Sequence, residues 1–555
     1  MKHFYSLLLI LTILFPGCNY LDVVPDNDIE TIETIFEKRD QAENWFKFCH
    51  TFLMPYTTSI ISNPAYTGAD EVVAGDFIRQ QFAYNWAGDG LQMTADPYGN
   101  IWRKDAAYNA IRYCNTFLEK IGGVYNMEEQ EKVLWIAEIK ALKAHYYFEL
   151  LRRYGPIILV PKNVATNAGI GEMKQPRAPF DTCVEEIVTL LDEAMKDLPP
   201  MNQKSVSRRA YHSLESAAAL KAMALFYAAS PLFNGNPALA NFTSKSGENF
   251  FNPTPDREKW KRAAEAVDTA LMICLENGKK LISNKTDGAV EDDRGLRDIM
   301  LDIEESSLAR NFESSEAIFM IQYENRATTS WTRWTRPYFR SGTPDYYADF
   351  IGCIAPSIKM VEMYYTEHGV PIDEDRTWDY SSRYQIGKET DTKYRNVVLL
   401  DADSVLRLHL RREPRFYAHI AADRCYFQRG ETIHAENDLV RAYQGERFGT
   451  LYTRISNSQA QNLTGYYMKK GSRSSQSNLD YKNTFSNEEA CVLIRLADLY
   501  LMKAEAWNEY LEIPDKEHVY DPLNAVRERA GIPDVEEAWQ NYSTDPGKVR
   551  TKVGM

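Results

Sequence analysis

Cys18 is the first residue with chemistry of its own. It follows Pro16-Gly17 and an apolar stretch from Leu7 to Phe15, behind a start carrying Lys2 and His3. A basic start, about nine apolar residues and a small residue before the cut describe a secretory signal over residues 1–17. The stretch is too short to span a bilayer, which takes roughly 20 apolar residues. A cysteine at the cut itself looks like a bacterial lipoprotein signal, whose thiol is lipidated and becomes the mature N-terminus. The plainer alternative is an ordinary cleaved signal that happens to hold a cysteine.

Two further clusters set aromatic rings beside hydrogen-bonding groups. Residues 84–103 place Tyr84, Trp86, Asp89, Gln92, Asp96, Tyr98 and Trp102 among glycines. Residues 331–347 read WTRWTRPYFRSGTPDYY and interleave Trp331, Trp334, Tyr338 and Phe339 with Arg333, Arg336 and Arg340, broken by Pro337 and Pro344. Flat rings stack on the C–H face of a pyranose while amides, carboxylates and guanidinium groups take its hydroxyls, so both runs are candidates for sugar contact. Trp86, with Tyr84 and Asp89 beside it, leads the first cluster; Trp331, Trp334, Tyr338 and Arg336 lead the second. Packing is the competing explanation, because aromatics make up 12% of the chain and most must fill its interior. The arginines would suit an acidic glycan, although the chain's own carboxylates suit them better.

Enzyme motifs are missing from the sequence. No HExxH, GxSxG, P-loop or GxGxxG string occurs, and the nine histidines are scattered without metal-ligand spacing. No catalytic residue, cofactor or metal is expected. Glu291-Asp292-Asp293 and the pair Asp401 and Asp403 lack the loop pattern of a calcium site and read as solvated charge. A pair of glycosidase carboxylates is defined by distance in space, so a hydrolase on a helical scaffold remains a competing reading, as does a scaffold that binds no ligand.

The 555 residues carry 44% hydrophobic and 26% charged side chains with a formal net charge of −14, which suits a soluble globular body and not a nucleic-acid binder. Eight cysteines leave an odd seven once Cys18 is set aside, and no CxxC pair occurs. Cys114, Cys183, Cys274 and Cys491 sit in apolar helical patterns and read as small core residues.

Helices must position these groups. In 129–154, Ala137, Ala141, Ala144, Phe148 and Leu151 share one face, and Ile136, Ile139, Leu142 and Tyr146 share a second, which predicts a helix buried on two sides and ended by Gly155-Pro156. The spacing predicts further helices over 211–229, 258–276 and 489–511, and a last one with Asp521 as cap, Pro522 in its first turn and Gly531 at its end. Recurrent alanine with Tyr, Phe and Trp in the gaps predicts a mainly α fold, a tetratricopeptide-like helix-turn-helix solenoid frame. Between 280 and 488 the periodicity lapses. Polar runs such as Ser472 to Asn478 alternate with β-like pieces, Ala317 to Ile321 and Val397 to Leu400, which predicts a loop-rich, mixed ligand-binding subdomain.

Five blocks in order resemble the SusD/RagB family of nutrient-binding outer-membrane lipoproteins of Bacteroidetes. They are Cys18-Asn19-Tyr20-Leu21-Asp22 through Pro25; Trp102, Tyr108, Ile111, Asn115 and Leu118; EIKALKAHYYFELLRRYGP from Glu138; Arg495 through Ala506; and Leu523 through Gly531. The resemblance places Trp102 in a family helix, hence in the core. It implies an N-terminal helical region over 18–279, an insertion over 280–488 and C-terminal helices over 489–555, stopping short of the family's usual end. It also implies a surface-exposed, lipid-anchored protein of the outer membrane, without catalytic activity. Such a protein captures oligosaccharide or another nutrient for a SusC-like TonB-dependent transporter.

Overall fold

The computed structural model describes residues 35–56, 67–74, 83, 86, 90–95, 97–103, 106–165, 167–289, 291–310, 312–322, 334–335, 352–395, 397–399, 405–427, 439–443, 446, 462–471 and 489–551. Cys18 lies outside them. The first helices in chain order are α1 (Arg39–His50), α2 (Ala107–Lys120), α3 (Glu129–Tyr154), α4 (Phe180–Met195), α5 (Leu214–Ala229) and α6 (Glu258–Glu276). They are followed by α7 (Leu296–Glu305), α8 (Ile358–Met363), α9 (Pro414–His419), α10 (Leu496–Tyr510), α11 (Asp521–Arg529) and α12 (Val535–Tyr542). Three strands matter for the frame: β1 (Ala309–Arg310), β2 (Ala317–Gln322) and β3 (Glu489–Arg495).

Neighbours in sequence are neighbours in space. Helix α1 packs on α2, α2 on α3, α3 on α4, α4 on α5 and α5 on α6, and α10 returns from late in the chain to cover α6. This is the mainly helical, stacked frame that the alanine pattern predicts. Both faces of α3 are buried, one through Ala137, Ala141 and Ala144 and the other through Ile139, Leu142 and Tyr146. Helix α5 buries Ala217, Ala218, Ala219, Ala222, Ala224, Ala228 and Ala229, so its neighbours approach its backbone closely. A capping box between Ser213 and Ser216 starts it, later than the predicted 211. Gly155 ends α3 at φ 68°, and a Cβ there would stand 2.9 Å from the Phe251 ring, so only glycine fits.

Two predicted elements differ. Residues 489–495 are strand β3 and not helix, lying between β1 and β2 in an antiparallel three-stranded sheet. The four-residue step from Ala490 to Ile494 suits a strand's period of two as well as a helical turn, and the run Ala490-Cys491-Val492-Leu493-Ile494 fits a central strand. Cys491 is therefore a strand residue. Asp521 does not cap α11: a π-helical turn, Lys516–Tyr520, feeds into it, and the Asp515 carboxylate accepts the His518 N–H at 2.7 Å as the cap. Strand β2 falls where the β-like piece Ala317 to Ile321 predicts it. Val397 and Val398 instead belong to a turn whose amides donate to the Tyr394 carbonyl.

A second core gathers Leu296, Ile299, Val361, Val398, Leu408, Phe416 and Tyr417 among short elements and turns. Buried ion pairs join it to the sheet and α11: Arg529 Nη1 lies 2.9 Å from Glu316, and Arg294 pairs with Asp302 at 2.8 Å. Arg294 also takes Asp292 at 2.6 Å, so this exposed member of the acidic run is paired. Seven cysteines among the described residues are buried, and burial pushes the Cys183 thiol up to about 11 and Cys274 to about 12. No helix among the described residues is long and apolar enough to cross a membrane.

Candidate functional site

The first aromatic cluster is built by a tight return of the chain before α2. Gly90, at φ 67°, lets the backbone fold back so that the amides of Leu91 and Gln92 both donate to the Trp86 carbonyl, at 3.1 and 3.2 Å. The Gln92 side-chain oxygen then accepts the Tyr98 amide at 2.9 Å. These bonds bring the rings of Trp86 and Tyr98 into a stack, with centroids 5.1 Å apart and planes 26° from parallel. Both rings are half-buried, and residues 90–95 beside them are exposed, Met93 at 56%. The result is a supported aromatic pair at the surface with an amide next to it, a geometry suited to a flat C–H face bearing hydroxyls.

Trp102, from the same cluster, has a different task. It meets Tyr108 and Tyr154 edge-on at 5.1 and 5.3 Å, carries the Arg177 guanidinium 4.7 Å over its face, and packs against the main core. That is the core role its family pattern implies. Tyr84, Asp89 and Asp96 lie outside the described residues, as do Trp331, Arg333, Arg336, Tyr338, Phe339 and Arg340. Trp334 is half-buried and its neighbour Thr335 is fully buried.

One arrangement resembles a nucleophile relay. Ser216 Oγ lies 3.0 Å from His212 Nδ1, His212 Nε2 lies 3.2 Å from His145 Nδ1, and His145 Nε2 lies 3.6 Å from Glu149. Ser216 and His212 are fully buried, so no substrate reaches them. Burial holds the His212 imidazole well below its ordinary range and hence neutral, with His145 and His50 adding to the effect. The chain of bonds ties α3 to α5 and the segment leading into it. Beside it, Glu138 of α3 is wholly buried and paired with Lys204 at 2.7 Å and with Arg208. These are structural groups inside the stack. No cluster of His, Cys, Asp and Glu suited to a metal ion occurs among the described residues.

Sequence reasoning missed an exposed tyrosine pair, Tyr380 and Tyr384, at 36% and 53% exposure. Its only local signal is two tyrosines around Arg383 in a stretch without periodicity.

Comparison with known proteins adds the lineage. A family model described as "SusD family" matches residues 315–552, and one described as "Starch-binding associating with outer membrane" matches residues 19–227. No curated protein sequence matches the chain. Among solved structures, one named BT4246 superposes with a TM-score of 0.70 at 23% identity, over 90% of this chain and 83% of its own. A SusD-like protein, BF3747, from Bacteroides fragilis NCTC 9343 superposes at 0.65 with 19% identity, over 93% and 82%. A SusD-like carbohydrate binding protein, BF0978, from the same organism superposes at 0.58 with 18% identity, again over 93% and 82%. The likeness to the solved structures is one of fold, and the two family models flank α6 and α7 from either side. With the five sequence blocks in order and the helical stack in place, the chain belongs to the SusD/RagB family.

Proposed function

We propose that the protein is a glycan-binding lipoprotein of the outer cell surface that captures oligosaccharide and passes it to a SusC-like TonB-dependent transporter, without catalysing a reaction on it. The observation that carries the reading is the match of residues 19–227 to a family described as starch-binding and associating with the outer membrane. That match begins one residue after Cys18, which supports the cysteine as the lipidated mature N-terminus. The Trp86 and Tyr98 stack falls inside the same match and supplies a surface for a sugar ring. Trp331, Trp334, Tyr338 and Arg336, in the loop-rich insertion over 280–488, are the proposed second contact, with Tyr84 and Asp89 beside the first.

Native gel electrophoresis through a panel of neutral and acidic polysaccharides tests this. Retarded migration on at least one glycan, with no new reducing ends after incubation, is the expected result. New reducing ends would make the protein a hydrolase. Migration unaffected by any glycan would leave a protein scaffold. Retardation by acidic glycans alone would support the role of Arg336 and its neighbours in pairing with carboxylates.

A further inference from the structure

The exposed tyrosines far from both aromatic clusters in sequence form a rigid unit. Arg383 is held between them, its guanidinium carbon 3.8 Å from the centre of the Tyr380 ring and 4.4 Å from that of Tyr384. A guanidinium over aromatic faces is attracted by their π charge, so the rings are held in place by the cation between them. Glu362 at the end of α8 locks the other side: one carboxylate oxygen accepts both Arg383 Nε at 2.7 Å and the Tyr384 hydroxyl. Arg383 Nη1 also donates to the Tyr380 carbonyl at 2.9 Å. The backbone beneath is fixed as well. Asp379 caps the turn by accepting the Ser382 amide at 3.4 Å and also accepts the Ser381 hydroxyl at 2.7 Å. The Leu408 amide donates to the Arg383 carbonyl at 2.8 Å, and Ile386 pairs antiparallel with Leu406.

We propose that Tyr380, Arg383 and Tyr384, with Glu362, form a further carbohydrate-binding platform, separate from Trp86 and Tyr98 and from the 331–340 run, that holds a pyranose unit of a glycan. The proposal rests on the reading of the chain as a glycan binder and adds a site to it. Each ring has one face against Arg383, which leaves the half-exposed Tyr384 ring with a face for the C–H side of a sugar. Hydroxyls of that sugar then meet Glu362, Asp379 and Arg407, whose side chains are 24%, 58% and 45% exposed. The core of a protein interface is depleted of charged groups, whereas this patch alternates rings with charges, as polyol recognition requires. Its internal bonds set the geometry before ligand arrives, so little ordering entropy opposes binding.

The test uses the full chain and the polysaccharide that retards it most, together with a short oligosaccharide of the same glycan in calorimetric titration. Tyr384→Ala is expected to weaken polysaccharide binding roughly three- to tenfold, the weight of one stacked ring, and to remove one oligosaccharide site per chain. Tyr384→Phe keeps the ring but loses its bond to Glu362, and is expected to weaken binding less than Tyr384→Ala. Trp86→Ala is expected to leave the Tyr384 site occupied. In the wild-type chain, oligosaccharide is expected to slow amide exchange over 379–387, a readout independent of any variant. Wild-type affinity and site number in Tyr384→Ala, with no protection over 379–387, would overturn the platform and leave the glycan-binding reading intact. Unchanged glycan binding with loss of an outer-membrane barrel in co-purification would assign the patch to a protein partner instead. A wild-type chain that binds no glycan at all would overturn both.

Discussion

The helical stack and the loop-rich body that follows it solve one problem in opposite ways. In α1 to α6 the backbone is satisfied within each helix, so side chains are free to be apolar. The interior is built of alanines and aromatic rings, and Phe46 meets Trp135 there at 5.0 Å. In the described parts of 352–427 the chain turns repeatedly between short elements, and many of its carbonyls lie outside any helix or ladder. Buried cations take them instead. Arg412, wholly buried, donates to the carbonyls of Leu408 at 2.7 Å, Val361 at 2.8 Å, Tyr365 at 3.2 Å and also Tyr364. Arg527 serves Gly369 and Pro533, both at 2.8 Å, and Lys469 serves Tyr417 at 2.7 Å. Desolvation lowers these cations, Arg412 and Arg527 to about 10 and Lys469 to about 7. Irregular backbone, the kind that binding surfaces are made from, is thus held by charge where helices are held by shape.

The largest effect is expected from acid, and it strikes both regions. His50 and His212 in the stack, and His409 and His419 in the body, are all held below their ordinary range by burial, His50 and His409 to about 3. Unfolding frees each imidazole to bind a proton below about 6.5. The unfolded state then holds more protons, and stability falls as pH drops from there toward 3. Each group contributes about 1.4 kcal/mol per pH unit in that window. Urea unfolding at pH 7.5 and 5.5 should show a clear drop in midpoint; equal midpoints would mean that the imidazoles are not sealed.

Arg412→Leu comes next. It takes the guanidinium from four carbonyls, of which Tyr365 keeps the Glu413 amide, and should cost about 3–5 kcal/mol, in the range of breaking a buried charged network. Hydrogen exchange should quicken over 352–427 while α3 stays protected. Quickening spread evenly over the chain would dissolve the distinction between the two regions. The smallest effect is expected in the stack: Ala222→Leu adds bulk where α5 meets its neighbours and should cost about 1–3 kcal/mol by overpacking, seen as a lower thermal midpoint. A neutral outcome would mean that the alanine contacts are looser than their burial indicates.

The same contrast explains what could be read in advance. Helix α3 is visible because its two apolar faces and its Gly155-Pro156 stop are local signals, and its bounds match the predicted 129–154. Strand β3 was concealed because a step of four residues satisfies two periods, and its partners β1 and β2 lie about 170 residues earlier in the sequence. The turn at Val397 is set by the Tyr394 carbonyl, and the cap at Asp515 lies outside the obvious Asp521-Pro522 pair. At the candidate site, the aromatic run 84–103 holds both Trp86 and Tyr98, but sequence alone sets Tyr84 and Asp89 beside Trp86. The pairing with Tyr98 comes from Gly90 and Gln92, which bring the two rings together within one short segment. Tyr384 escapes the same reading because Glu362, which fixes it, sits on α8.

In the proposed glycan binder a helical frame carries ligand on the segments between its helices. Hydrogen–deuterium exchange with and without a retarding oligosaccharide tests it most directly. Slower exchange is expected at amides around Trp86 to Tyr98 and in the 331–340 segment, with α3 and α5 unchanged. Protection centred on α3 and α5, or none anywhere under saturating ligand, would contradict it.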